Sequence, residues 1–209
     1  CEKARELSKP GAPIFNFTNP SGLDDEQHYT TAEDLAKITA YSLNNSIFAE
    51  IVSTKEKSIS FQGREWDRKL KNHNKLLWWY DGCIGVKTGF TKKSGRCLVS
   101  AASKNNIRLI TVTLKAPDDW NDHTVLLDYG FSLLSLERVV EKGRVAGTFD
   151  VTDGVESTIN CLFEETVDIP KLQEDEIEIK TVISKDIPAP VKKGMIVGYA
   201  DVLLNGNKI

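Results

Sequence analysis

The chain has 209 residues, 40% of them hydrophobic and 27% charged, with a formal net charge of -3, enough apolar content to fill a core in one large domain or two small ones. The mild acidity, with lysines interspersed among acids, excludes an overall basic footprint for nucleic acid, and no apolar run approaches the roughly 20 residues needed to span a bilayer as a helix. Four separated cysteines (Cys1, Cys83, Cys97, Cys161) supply neither a disulfide scaffold nor a metal-ligand spacing, and nothing in the sequence calls for a cofactor.

Residues 1–7 have a helical pattern with neither an N-cap nor an initiating Met, and Pro10-Gly11-Ala12-Pro13 stops it. A chain that opens inside a helix reads as a fragment. No signal peptide opens it either, so an export segment is expected elsewhere. A turn-rich segment follows, Phe15-Asn16-Phe17-Thr18-Asn19-Pro20-Ser21-Gly22-Leu23. Thr30 and Glu33 have capping-box spacing and predict a helix to about Leu43, with Leu35, Ile38, Thr39 and Ser42 on one face. A second short helix is predicted at 46–52, and 53–70 alternates weakly like a hairpin or extended loop. The densest basic stretch, 64–75, also carries Glu65 and Asp67 and reads as a solvated face.

Residues 83–87, 96–102 and 107–114 are rich in β-branched or alternating apolar residues, and turn signals separate them. They predict three antiparallel strands. Tight pairing around the 91–95 turn sets Cys97 near Thr88 rather than Cys83, so the thiols are expected to be free. Residues 118–121 open a helix whose apolar face is predicted to be Val125, Leu126, Tyr129, Leu133 and Leu134, ready to cover the sheet. This is an α/β (α+β) layer with an antiparallel sheet and covering helices. From about Val139 short strand-like runs (145–149, 157–163, 177–183, 195–202) alternate with Asp-Gly, Pro and Asn-Gly turns. The predicted division is therefore 1–138 and 139–209, the second part a small all-β domain.

The chemistry concentrates in Gly85-Val86-Lys87-Thr88-Gly89-Phe90-Thr91 and Ser94-Gly95-Arg96-Cys97-Leu98-Val99. An ammonium and a hydroxyl on one strand edge hold a carboxylate, and glycine lets a substrate backbone lie close against that edge. Together with Asn72-His73-Asn74-Lys75-Leu76-Leu77, with Phe17-Thr18-Asn19-Pro20-Ser21-Gly22-Leu23 and with His28-Tyr29-Thr30-Thr31-Ala32-Glu33-Asp34-Leu35-Ala36, this stretch resembles the D-alanyl-D-alanine carboxypeptidases, the low-molecular-mass penicillin-binding proteins. The order and spacing of the blocks agree, and the resemblance spans about 2–137. The trailing β domain fits the family's small C-terminal domain.

The resemblance implies a β-lactamase/transpeptidase-like half-domain and a serine acyl-transfer enzyme of the bacterial cell envelope, outside the cytoplasm. Its substrate would be a peptidoglycan stem peptide ending in D-Ala-D-Ala, and β-lactam antibiotics would bind the same site. Lys87 and Thr88 would bind the terminal carboxylate, Gly89 would permit close approach, and the backbone N–H of Phe90 would supply one oxyanion-hole donor. Lys87 would also polarise hydroxyls around the nucleophile.

The sequence departs from the family in its other two motifs. No Ser has Lys three positions on; Thr54-Lys55-Glu56-Lys57 has the spacing with threonine, but between two family blocks. Ser42-Leu43-Asn44 and Ser103-Lys104-Asn105 have the letters of Ser-x-Asn but fall in a predicted helix and a predicted turn. In family order both motifs precede Cys1, so this chain is expected to lack turnover and to need the N-terminal half of the catalytic domain. The arginine that many relatives carry before the covering helix is also replaced, by Asp118-Asp119-Trp120-Asn121-Asp122-His123.

Other readings stay open beside this one: a β-lactamase or D,D-endopeptidase on the same fold, and a non-catalytic envelope-binding module. Trp78-Trp79-Tyr80 reads as cleft-wall packing or as a sugar platform. Asp24-Asp25-Glu26 and Asp118-Asp119 read as solvated acids or as a glycosidase pair. The family's sheet places an N-terminal strand beside the last one, so the resemblance implies an apolar edge left open at 107–114 and predicts self-association or limited stability unless the missing half is present.

Overall fold

The computed structural model describes residues 15–60, 63, 66–183 and 187–209; the predicted helix over 1–7 and the turn at 10–13 lie outside them. The chain divides into two compact units, 1–132 and 133–209.

In the first unit, helix α1 spans Ala32–Ser42 and α2 spans Ser46–Ser53. The cap of α1 is Thr31, one residue later than the Thr30 that the spacing predicts. Asp34 explains the shift: the Thr31 hydroxyl donates to the Asp34 carboxylate (3.0 Å) and accepts from the Asp34 N–H (3.1 Å). Glu33 instead turns outward to Lys37, 2.7 Å away and one helical turn on. Asn45 caps α2 by accepting from the Ile47 and Phe48 amides. The 53–70 region is a hairpin, β1 (Glu56–Ile59) antiparallel to β2 (Arg68–Lys71).

A one-turn helix α3 (Leu76–Trp79) leads into the sheet β3 (Cys83–Thr91), β4 (Gly95–Lys104) and β5 (Ile107–Thr113), antiparallel throughout with β4 in the middle. Cys97 stands opposite Gly89, one residue from the predicted partner, and Cys83 opposite Ala102. The two-residue period of a strand gives the sheet two apolar faces. Val86, Val99 and Ala101 face Leu43 and the Leu35, Phe48 and Val52 side chains of α1 and α2. Leu98 and Ala102 face Leu76, Tyr80 and the long helix α4 (Asp119–Leu133), through Leu127 and Trp120. Burying each such leucine contributes about 2 kcal/mol.

Helix α4 covers the sheet with a different face from the predicted one. Val125, Leu126, Tyr129 and Leu133 are exposed, Tyr129 to 62%, whereas Asp119, His123 and Leu127 are buried. Those three recur every four residues and so share one side of the helix. Polar side chains take the inner face because each finds a partner there, which removes the cost of desolvating it.

The second unit is all β. Strand β6 (Ser135–Val140) pairs with β9 (Val167–Lys171); β7 (Val145–Thr152) lies between β8 (Thr158–Leu162) and the short parallel β11 (Ile187–Pro188); β12 (Gly198–Leu204) lies between β10 (Ile177–Ile183) and β13 (Asn207–Lys208). Val139, Val140 and Ile169 form its core with Phe163, Ile177, Ile179 and Val202. The four strand-like runs seen in the sequence correspond to β7, β8, β10 and β12. Strands β6 and β9 are additional: Pro170 interrupts the β9 pattern, and Arg138 and Asp168 put a cross-strand ion pair (2.9 Å) where apolar residues would signal a strand.

Candidate functional site

Among the described residues β3 pairs only with β4, so its other edge is open. The Lys-Thr-Gly triplet lies on this edge strand, with Lys87 opposite Val99, Thr88 opposite Leu98, Gly89 opposite Cys97 and Phe90 opposite Arg96. Just before the triplet the strand is anchored: Val86 is buried, and Gly85, at φ +144°, lies so close to α2 that a Cβ there would come within 2.9 Å of Val52. From Lys87 onward the strand turns to solvent. Lys87 is exposed, Thr88 half-buried, Gly89 exposed, and Phe90 is 70% exposed.

The Lys87 ammonium donates to the Thr88 carbonyl. Among the described residues it has no carboxylate partner. Gly89 differs from Gly85: a Cβ there would meet Cys97 only at ordinary contact distance, 3.8 Å. The chain's own packing does not demand glycine at 89, so the free space faces outward.

The turn that follows the triplet is locked from a distance. Asp24 Oδ1 accepts from the Thr91 hydroxyl (2.7 Å) and the Ser94 hydroxyl (3.3 Å), and Thr91 Oγ1 accepts from the Ser94 amide (2.9 Å). Asn19 shapes the loop that presents Asp24, accepting from the Ser21 hydroxyl and the Leu23 amide. The block around 17–24 thus adjoins the end of β3, and Asp24, read in the sequence as a solvated acid or half of a glycosidase pair, is a tether. The upstream asparagines tie the other approach: Asn72 donates to the Val52 and Thr54 carbonyls, and Asn74 accepts from the Leu76 amide at the start of α3.

Behind the strand, Asp119 is a buried acceptor rather than a catalytic acid. Its Oδ1 accepts from Arg96 Nε (2.9 Å) and Nη2 (2.7 Å). The arginine opposite Phe90 is thereby held on the α4 side. His123, fully buried, has Thr111 Oγ1 3.1 Å from Nδ1 and Thr113 Oγ1 2.9 Å from Nε2. Its neutral ring donates through one nitrogen and accepts at the other. Burial pulls its pKa from 6.5 to about 4, with nearby Asp119 opposing. Tyr80 donates to Asp128 (2.7 Å), and burial first, then that bond, holds its phenol well above the usual range. Burial also raises the Cys83 thiol.

The remaining hydroxyl candidates are engaged in helix geometry. Thr54 Oγ1 donates to the Glu50 carbonyl (2.6 Å) and Ser42 Oγ to the Ile38 carbonyl (2.8 Å), while Ser103-Lys104-Asn105 forms the end of β4 and its turn. Among the described residues no three His, Cys, Asp or Glu side chains come together as a metal site.

The family described as D-alanyl-D-alanine carboxypeptidase matches residues 7–118, and the one described as penicillin-binding protein 5, C-terminal domain, matches 135–209. D-alanyl-D-alanine carboxypeptidase DacF of Bacillus subtilis is 33% identical over 205 residues, 94% of this chain and 51% of its own length. The structure of penicillin binding protein 5 from Haemophilus influenzae aligns with a TM-score of 0.61 at 28% identity, covering all of this chain and 60% of that one. A peptidoglycan synthesis regulatory factor (PBP3) from Streptococcus pneumoniae aligns at 0.68 and 26% identity, over 88% of this chain and 53% of that one. The chain spans about half the length of the curated relatives it matches.

Proposed function

Because this chain belongs to the D-alanyl-D-alanine carboxypeptidase family, we propose that it is the carboxylate-holding part of a serine-type enzyme that removes the terminal D-Ala from peptidoglycan stem peptides. The observation that carries the reading is the Lys87-Thr88-Gly89-Phe90 run on the open edge of β3, with an ammonium that has no carboxylate partner among the described residues and outward space at Gly89. In this mechanism Lys87 and Thr88 bind the C-terminal carboxylate of the stem peptide, or the equivalent carboxylate of a β-lactam. The peptide lies along β3 over Gly89. The Phe90 N–H stabilises the oxyanion as the acyl-enzyme forms, a contribution of ~3 kcal/mol to the barrier. Asp24 keeps the turn after Phe90 in place through Thr91 and Ser94.

The attacking serine and its lysine base are not among these residues. The sequence holds no Ser-x-x-Lys, and its two Ser-x-Asn triplets lie at the C-terminal end of α1 and at the end of β4, each running into a turn. We therefore assign binding to this chain and acylation to a serine-bearing partner segment, the reaction taking place in the cell envelope, where the product shapes the cell wall. The free edge of β5 extends the proposal to partners: one charge, Arg108, guards seven residues, and the strand pairs only with β4 among those described. We expect the isolated chain to self-associate through it; a monomer in sedimentation with a cooperative melt would contradict this.

Titration of the chain with an acetylated peptide ending in D-Ala-D-Ala, followed by amide NMR, tests the reading. Shifts confined to the β3–β4 region and lost in Lys87→Ala support it. Unchanged binding in Lys87→Ala, or equal response to the peptide amide, which has no carboxylate, overturns it.

A further inference from the structure

Three tryptophans of the first unit sit under cations. Trp79 is 65% exposed and meets Trp120 edge to face, ring centroids 6.4 Å apart and planes at 70°. The Lys75 ammonium lies 5.2 Å from the Trp79 ring and 6.0 Å from Trp120, and the Arg96 guanidinium lies 5.7 Å from Trp120. Trp78, also exposed, carries Lys71 at 5.1 Å. Packing does not account for the exposed indoles, since the adjacent Tyr80 and Leu76 fill the core of this side. Asp119, beside Trp120 in the chain, is buried and bonded to Arg96, and Lys75 has no carboxylate partner among the described residues. The surface therefore offers aromatic faces and positive charge together.

Such a surface suits a ligand with an apolar ring face and an anionic substituent. A pyranose presents axial C–H bonds to the indole face opposite the ammonium, and a carboxylate on the same sugar reaches past the ring edge to that ammonium. The position is informative as well. Arg96, whose guanidinium lies against Trp120, is the cross-strand partner of Phe90, so the patch lies on the α4 side of the sheet whose edge strand carries Lys-Thr-Gly.

We propose that Trp79 and Trp120, with Lys75, form a stacking site for an acidic amino-sugar polymer, the glycan strand that carries the stem peptide. This rests on the peptidase reading above and extends it: β3 takes the end of the peptide and the tryptophans take the sugar.

The probe is a peptide-free tetrasaccharide of alternating N-acetylglucosamine and N-acetylmuramic acid, titrated into the chain with tryptophan fluorescence and calorimetry as readouts. The expected result is saturable binding, weakened at least tenfold by Trp79→Ala and severalfold by Lys75→Gln. Trp79 is exposed, so its variant should keep the far-UV spectrum and melt of the parent. Chitotetraose, which lacks the carboxylates, should bind less well and be insensitive to Lys75→Gln. No binding at millimolar tetrasaccharide, full affinity in Trp79→Ala, or equal affinity for chitotetraose would overturn the proposal. Titration of the same chain with the D-Ala-D-Ala peptide separates the two readings. Peptide binding without glycan binding removes the platform alone, and glycan binding without peptide binding removes the peptidase reading and leaves the stacking site.

Discussion

Two polar groups of residues flank the same sheet and are treated in opposite ways. Behind β4 and β5, Arg96, Asp119, His123, Thr111 and Thr113 are paired with one another under α4, two of them fully or almost fully buried. On the free edge of β3, Lys87, Thr88 and Gly89 are turned to solvent, and the ammonium reaches only a neighbouring carbonyl. Residue type alone does not separate these groups, since each contains a cation and at least one hydroxyl. Saturation does: polar side chains that have satisfied one another hold the fold together, whereas those left unsatisfied at an open edge are available to a ligand.

Acid should break the buried set most strongly. The folded pKa of His123 is lowered, so the unfolded chain binds the proton more readily and stability falls as pH drops below 6.5, the loss saturating near 4. At about 1.4 kcal/mol per pH unit the full loss is roughly 3 kcal/mol. Urea melts across this window should show that slope, and His123→Gln should flatten it; equal slopes would remove His123 from the account. Asp119→Ala comes next, with about 2 kcal/mol lost because Arg96, itself part-exposed, gives up two charge-assisted bonds. A change below about 0.5 kcal/mol in the same melts would mean that the pair is ornamental. Lys87→Ala should move stability least, within about 0.5 kcal/mol, while removing binding of a D-Ala-D-Ala peptide. A large fall in melting temperature would place Lys87 in the scaffold and erase the contrast.

Much of the site was legible because it is contiguous. Lys87 to Phe90 follow one another on one strand, flanked by β-branched residues and a turn, and the three-strand sheet and the small all-β part announce themselves by alternation and turn chemistry. What escaped depends on partners far along the chain. Asp24 reaches Thr91 across 67 residues, and no local pattern separates it from the solvated acids beside it. Hydrophobicity picked the wrong face of α4 because His123 and Asp119 are made burial-compatible by Thr111, Thr113 and Arg96, which only the folded sheet brings near. The cap of α1 moved from Thr30 to Thr31 because a short Asp34 competes with Glu33 for the same role.

The most direct measurement is the intact mass of this chain after incubation with a penicillin, alongside its non-covalent binding. The expected result is no covalent adduct and weak, reversible binding that Lys87→Ala abolishes. A stable adduct of one penicillin would mean that a residue of this chain is acylated, and would contradict the division between a carboxylate-holding edge here and a nucleophile elsewhere.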